Sequence, residues 1–274
     1  MGVILGLCSA LVWGSGDFCG GRAATRHDTF QVLGLAAVAG MVVLGTAALG
    51  VGEAVPPGSA LLWAAAAGVS GALGIVALYR GLAVGRSATV APLAAVVAAT
   101  CPVLYEVAIE GLPRPIQLGG FLLALGGIWL VSQSASHAPA SRAGVRLGLL
   151  AGLGFGGFLI FIAQTPHGSV FVPLLIARAM MLATAVVVLG TRRTALLPTR
   201  PAPIAFLAGV LDSGGNVLYV LAQQHVRLDI AAVLSSLYPV ATVVLARVIL
   251  HERVSGSQWV GAAVCLSAIV LITA

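Results

Sequence analysis

Charge is what this sequence has least of. Of its 274 residues only 8% are charged while 59% are hydrophobic, and the mean hydropathy is +1.08. A soluble domain carries about 25% charged residues and cannot keep this much apolar surface from water, so the chain reads as an integral membrane protein. Lysine is absent. All 14 basic residues are arginine and lie mostly between apolar blocks, so the net charge of +6 forms no single basic patch and nucleic acid is not an expected partner. Cysteine is scarce too. Cys8, Cys19, Cys101 and Cys265 fall inside or at the edge of apolar segments without CxxC or metal-ligand spacing, which excludes a disulfide framework and points to core thiols.

Catalytic signatures are equally thin. There is no GxxxxGK[ST], so ATP is not the expected energy source. Neither G-x-S-x-G nor HExxH occurs, which argues against an intramembrane enzyme. His27, His137, His167, His225 and His251 lie in loops or at helix ends, so neither a metal nor another cofactor is expected. The opening "MGVILGLCSALVWGSGDF" lacks a basic n-region and a convincing A-x-A site, and reads as a first membrane helix rather than a cleaved signal.

What remains is apolar sequence cut into regular pieces. A bilayer core needs about 20 apolar residues per helix, and Gly, Pro and Arg punctuation gives ten blocks: 2–21, 30–51, 60–83, 87–109, 115–133, 144–164, 169–190, 202–223, 228–250 and 256–273. The 35 glycines follow no G-X-Y period and suit helices packed closely in lipid. The one polar linker, "SQSASHAPASRAG" from Ser132 to Gly144, lies near the midpoint, and suggests a first unit 1–133, a linker 134–143 and a second unit 144–274. An offset of 142 residues aligns the two units. "LGLCSALVWG" (Leu5 to Gly14) meets "LGLLAGLGFG" (Leu147 to Gly156), and the same offset pairs Ala99 with Ala241, Thr100 with Thr242, Glu110 with Glu252 and Gly119 with Gly261. Five helices per unit is an odd number, so the second unit enters the membrane inverted. The expected fold is an all-α membrane protein of ten transmembrane helices in two inverted five-helix repeats, an arrangement that suits alternating access.

Three stretches carry a family likeness: "ALVWGSGDFCGG", "VAPLAAVVAATCPVL" followed by Glu110, and "LYPVATVVLARVILHERVSGSQWVGAAVCLSAIVLI" with Pro239, Glu252, Gln258 and Gly261. They resemble the EamA family of the drug/metabolite transporter (DMT) superfamily, as two repeats over nearly the whole chain. The resemblance implies a ten-helix transporter that moves small metabolites, often amino acids or toxic compounds, out of the cell, with both termini cytoplasmic. Glu110 and Glu252 match the family's loop glutamate, and their place at helix termini points to a gating or capping role ahead of cargo contact. The first repeat departs from the pattern in placing Glu106 at an apolar position and Gly-Leu-Pro-Arg-Pro after Glu110.

Ionisable residues at membrane depth cost about 2.5–3.5 kcal/mol each on insertion scales, so each needs a partner, a watery cavity or a function. Asp212, Asn216, Tyr219 and Gln223 are spaced to share one face of the eighth helix. Their repeat equivalents Ser70, Gly74, Ala77 and Gly81 are all small, and the two faces are expected to form opposite walls of one cavity. Trp13 and Asp17 on the first helix, and Phe155, Phe158 and Gln164 on the sixth, extend the candidate substrate site, while Gly148, Gly152 and Gly156 are spaced for close packing. Arg178 admits two readings: it neutralises Asp212 as a structural pair, or its guanidinium grips a substrate carboxylate. Asp17 and Asp212 are the proton-coupling candidates, since a carboxylate in an apolar site can load and release protons near neutral pH. Glu106 and Arg247 are expected to snorkel to opposite interfaces.

The loops between helices place nine arginines on the odd-numbered connections (Arg22, Arg26, Arg86, Arg142, Arg146, Arg192, Arg193, Arg200, Arg253) and two on the even ones (Arg114, Arg227). The positive-inside rule then puts both termini outside, the reverse of the placement the resemblance implies. The functional expectation is a secondary active transporter in the plasma membrane, exporting a small metabolite such as an amino acid or related amine. A multidrug-type efflux carrier or a metabolite importer is the alternative, ahead of a channel. The expected partners are a small-molecule substrate, the lipid bilayer and, as an open option, a second copy of the chain in a homodimer.

Overall fold

The computed structural model describes residues 1–84, 87–132, 142–249, 251 and 254–273, without the side chains of 79, 82–84 and 87–89. Most of the central linker, Arg86, His137, Glu252 and Arg253 therefore lie outside the described residues. All regular structure among the described residues is helical: α1 (Gly2–Ala24), α2 (Thr29–Val51), α3 (Gly58–Val84), α4 (Ser87–Glu110), α5 (Pro115–Ser132), α6 (Arg142–Ala163), α7 (Phe171–Thr191), α8 (Pro203–Gln223), α9 (Leu228–Ser235), α10 (Tyr238–Ile249) and α11 (Gly256–Thr273). Among the described residues ten spans are long and apolar enough to cross a bilayer, with α9 and α10 together forming the ninth. The fold is the expected one, ten transmembrane helices in two five-helix repeats.

Local chemistry sets the helix ends. Asp28 caps α2, its carboxylate accepting from the Phe30 amide at 2.8 Å, and Gly52, at φ 64°, closes the same helix in the left-handed conformation that glycine adopts without strain. Pro203 starts α8, where its missing N–H costs nothing.

Packing between the repeats follows a two-fold exchange. α1 lies along α8 as α3 lies along α6, and these pairs exchange under the 142-residue offset; α2 pairs with α7, and α5 with α11. Small residues set the distances between axes. The stripe of Gly148, Gly152 and Gly156 on α6 faces α4, where added Cβ atoms would meet Val90, Val97 and Cys101, so the sequence expectation of a close-packing stripe holds. Gly127 and Gly261 do the same for α5 and α11.

α9 sits between two hydrophobic clusters, one shared with α1, α4, α5 and α11 and the other with α2, α3, α6, α7 and α8. Seven of its eight residues are buried, whereas α10 has no buried residue. The ninth span is therefore not the continuous helix 228–250 expected from hydropathy. Pro239 has no N–H to give to the Ser235 carbonyl, and the chain turns through Ser236 and Leu237 before α10 begins. Of the cysteines, Cys265 is buried and Cys8, Cys19 and Cys101 are half-buried, all as free thiols.

Candidate substrate cavity

A cavity of roughly 410 Å³ occupies the middle of the bundle, within the span of about 300–1,000 Å³ usual for small-molecule sites. α1 contributes Trp13, Gly16, Asp17, Gly20 and Gly21; α8 contributes Ala208, Asp212 and Asn216. Phe155, Phe158 and Leu159 come from α6, Arg178 and Met181 from α7. The lining runs from mid-membrane toward Gly21 at the end of α1, Val32 at the start of α2 and Ala208 near the start of α8. These ends meet the odd-numbered connections, so the cavity opens toward the arginine-rich side.

Arg178 and Asp212 form an ion pair, and the arginine is buried while the Asp212 side chain is 39% exposed. Asn216 braces the pair, its Nδ2 donating to the Asp212 carbonyl at 2.6 Å and lying 3.5 Å from the carboxylate. Gly40 makes room for the guanidinium: a Cβ there would lie within 3.3 Å of the arginine Nε and Cδ. Of the two readings open for Arg178, this geometry realises the charge-neutralising pair.

Asp17 differs from Asp212. It is exposed to the cavity, and among the described residues it has neither a hydrogen bond nor an ion-pair partner. With the other two charges cancelling, Asp17 is the acid of the cavity lining that has no counter-ion among the described residues. Aromatic rings stand next to it. Trp13, one turn earlier on α1, stacks on Tyr219 at a centroid distance of 5.7 Å and meets Tyr238 edge-on at 6.4 Å.

Three proposed site residues lie elsewhere. Tyr219 is fully buried behind Trp13 and donates to the Leu159 carbonyl at 3.0 Å. Gln164, at the far end of α6, donates to the Ile160 carbonyl at 3.1 Å. Gln223 ends α8, with its Nε2 buried and unpartnered among the described residues. The polar stripe of α8 thus begins in the cavity and continues into the closed half of the molecule. The opposite wall also differs from expectation. Ser70, Gly74 and Gly81 close against α6, through a hydroxyl bond from Ser70 to the Gly154 carbonyl at 2.8 Å and through approaches that a Cβ on either glycine would block. Small residues let helices touch, and a touching face is not a cavity wall. The α3 wall is Gly71, Ile75 and Leu78, displaced around the helix.

Ser236 and Tyr238, at the helix break, also line the cavity and were not among the sequence candidates. The signal available for them was Pro239 within an apolar run.

The side bearing the even-numbered connections is held shut by charge-assisted hydrogen bonds. The Glu53 carboxylate accepts from the amides of Val170, Phe171 and Val172 at 2.9–3.0 Å, capping α7 from a distant loop. Glu106 does not snorkel: it is buried, accepts from the Leu228 amide at the start of α9 and lies 3.9 Å from Arg227. Arg227 also binds Asp229 at 3.0 Å and the Gly111 carbonyl at 3.2 Å. Its hydrogen bond with the Asp229 carboxylate holds the guanidinium above its ordinary range.

The family model described as EamA-like transporter family matches the chain twice, over residues 1–133 and 142–274. The chain belongs to the EamA-like transporter family. With its ten spans it is a multi-pass membrane transporter of the DMT type. A solved crystal structure of a protein 17% identical to this EamA-family chain superposes with a TM-score of 0.78, covering 99% of this chain and 98% of the other, and shows the shared fold. No curated protein matches the sequence.

Proposed function

We propose that this EamA-family chain is a secondary active carrier of the plasma membrane that exports a small amine-bearing metabolite, such as an amino acid or related amine, by alternating access. The observation that carries this reading is Asp17, an unpaired carboxylate in a cavity whose other two charges cancel. An ammonium group supplies the missing charge, and Trp13 and Tyr238 offer ring faces that attract cations. Trp13, Asp17, Phe158, Arg178, Asp212 and Asn216 form the binding site in this state, with Asp17 and Asp212 as the groups able to exchange a proton for cargo. Tyr219, Gln164 and Gln223 lie on the side that opens in the other state. If the arginine-rich side is cytoplasmic, as the positive-inside rule has it, the cavity described here is the one that loads cargo for export.

Proteoliposomes test the reading. Labelled amines or amino acids should be taken up by counterflow, faster when unlabelled substrate is inside, and a channel would show no such acceleration. Uptake of acidic solutes in preference to amines would overturn it. The aromatic lining of Trp13, Tyr238, Phe155 and Phe158 favours a second reading, efflux of bulky lipophilic cations. Competition between such a cation and a simple amine, with the cation winning, would select the second.

A further inference from the structure

A second hollow, of roughly 540 Å³, lies at the end of α1 against the start of α8. Its wall includes Arg22, Arg26, His27 and Arg200, with Pro203 at the N-terminus of α8. Arg22 and Arg26 stand four residues apart at the end of α1, and the fold brings Arg200, just before α8, around the same space. Among the described residues none of the three has an ion-pair partner. The nearest acid in sequence, Asp28, is already engaged by Arg192 at 3.6 Å and by the amide of Phe30. α8 begins with no side-chain cap, so the positive end of its dipole adds to the same field. Like charges gathered around a hollow repel one another, and an anion in the hollow removes that cost.

The position narrows the anion's chemistry. The hollow lies where membrane spans end, at headgroup depth, and the exposed Ile204, Leu207 and Val210 run from it down the outer face of α8. Guanidinium forks match phosphate oxygens two at a time, and helix N-termini take phosphate well. Basic pockets between membrane helices are suited to anionic headgroups.

We infer that the Arg22–Arg26–Arg200 hollow is a phosphate-binding site, with an anionic phospholipid headgroup as its occupant and soluble phosphate as the other source of the same chemistry. The site joins repeat 1, through α1, to repeat 2, through α8, beside the mouth of the central cavity. An occupied site would tie the two repeats together there.

The test uses the full-length protein, delipidated in detergent and incubated with phosphatidylglycerol or phosphatidylcholine, with retained lipid read by native mass spectrometry. Phosphatidylglycerol should be retained in preference. The combined Arg22→Gln, Arg26→Gln, Arg200→Gln variant should bind it more weakly, by roughly fivefold for each arginine lost. A variant with lysine at all three positions should recover part of the binding, which guards against misfolding as the cause. Arg193→Gln, an exposed arginine outside the hollow, should bind as the unaltered protein does. If phosphatidylglycerol is not preferred but inorganic phosphate raises the melting temperature of the unaltered protein and not of the glutamine variant, the phosphate source is soluble. If neither lipid preference nor phosphate stabilisation depends on the three arginines, the inference is wrong.

Discussion

Replacing Asp17 by asparagine removes one charge and almost no volume, so it separates electrostatics from shape in the cavity. Because Asp17 has no partner to orphan, Asp17→Asn should leave the melting temperature nearly unchanged and sharply reduce transport of amines; if Asp17 is also the proton site, the residual flux should become indifferent to a pH gradient in proteoliposomes. Arg178 should behave in the opposite way. Its partner Asp212 would lose its counter-ion, but that carboxylate is partly open to the cavity, so Arg178→Ala should destabilise the protein by about 1.5–3 kcal/mol, read as a fall in thermal or denaturant midpoint. Combining it with Asp212→Leu should restore much of the loss. An additive double variant would show that the two charges are not coupled. Trp13, Asp17, Asp212 and Asn216 were legible in the sequence because polar side chains inside apolar helices need a reason to be there. Ser236 and Tyr238 were not, since they reach the cavity only through a break in the ninth span. Glu53 was missed for a related reason: it caps a helix more than a hundred residues away, and no local pattern records that.

Helical periodicity correctly grouped Asp212, Asn216, Tyr219 and Gln223 on one face of α8, but it could not say what that face meets. The same limit applies to α3, whose small face closed on α6 instead of opening a cavity. Glycine on a helix in lipid leaves room for either a ligand or a neighbouring backbone, and only the packed bundle decides between them. On α6 the outcome is clear. Gly152 approaches α4 so closely that a Cβ would fall within 2.8 Å of the Ala94 carbonyl as well as against Val97. Gly152→Val should therefore force α6 from α4 and cost about 1–3 kcal/mol by overpacking. Gly126, where nothing lies within 4 Å of an added Cβ, should accept alanine with little change, or a slight gain from helix propensity. Melting temperatures of the two variants in detergent check both expectations, and equal losses would mean the glycine contacts do not set the helix spacing.

The molecule as a whole is asymmetric across the membrane although its fold is pseudo-symmetric: one end of the cavity is open, and the other is stitched by Glu53, Glu106, Arg227 and Asp229. Which end faces the cytoplasm decides whether this state loads or releases cargo. Nine arginines on the odd connections against two on the even ones predict that a reporter fused at Ala274 is active outside the cell; a reporter active inside would reverse the sidedness and make this the outward-open state. The stitched end offers a sharper test of alternating access, because Gln223 lies half-buried there, with its Nε2 shielded, at the end of the α8 stripe. Hydrogen bonds to charged groups contribute about 1.5–3 kcal/mol each. Loss of Arg227 from its contacts with Asp229, Glu106 and the Gly111 carbonyl should therefore raise the population open at that end by roughly tenfold or more. Arg227→Ala in a Gln223→Cys background should speed labelling of that cysteine by a membrane-impermeant thiol reagent added from the terminal side. Substrate that favours the cavity open at the arginine-rich side should slow it. Labelling that ignores both the arginine and the substrate would mean that this end does not open during transport, and the polar stripe beyond Asn216 would then be packing rather than pathway.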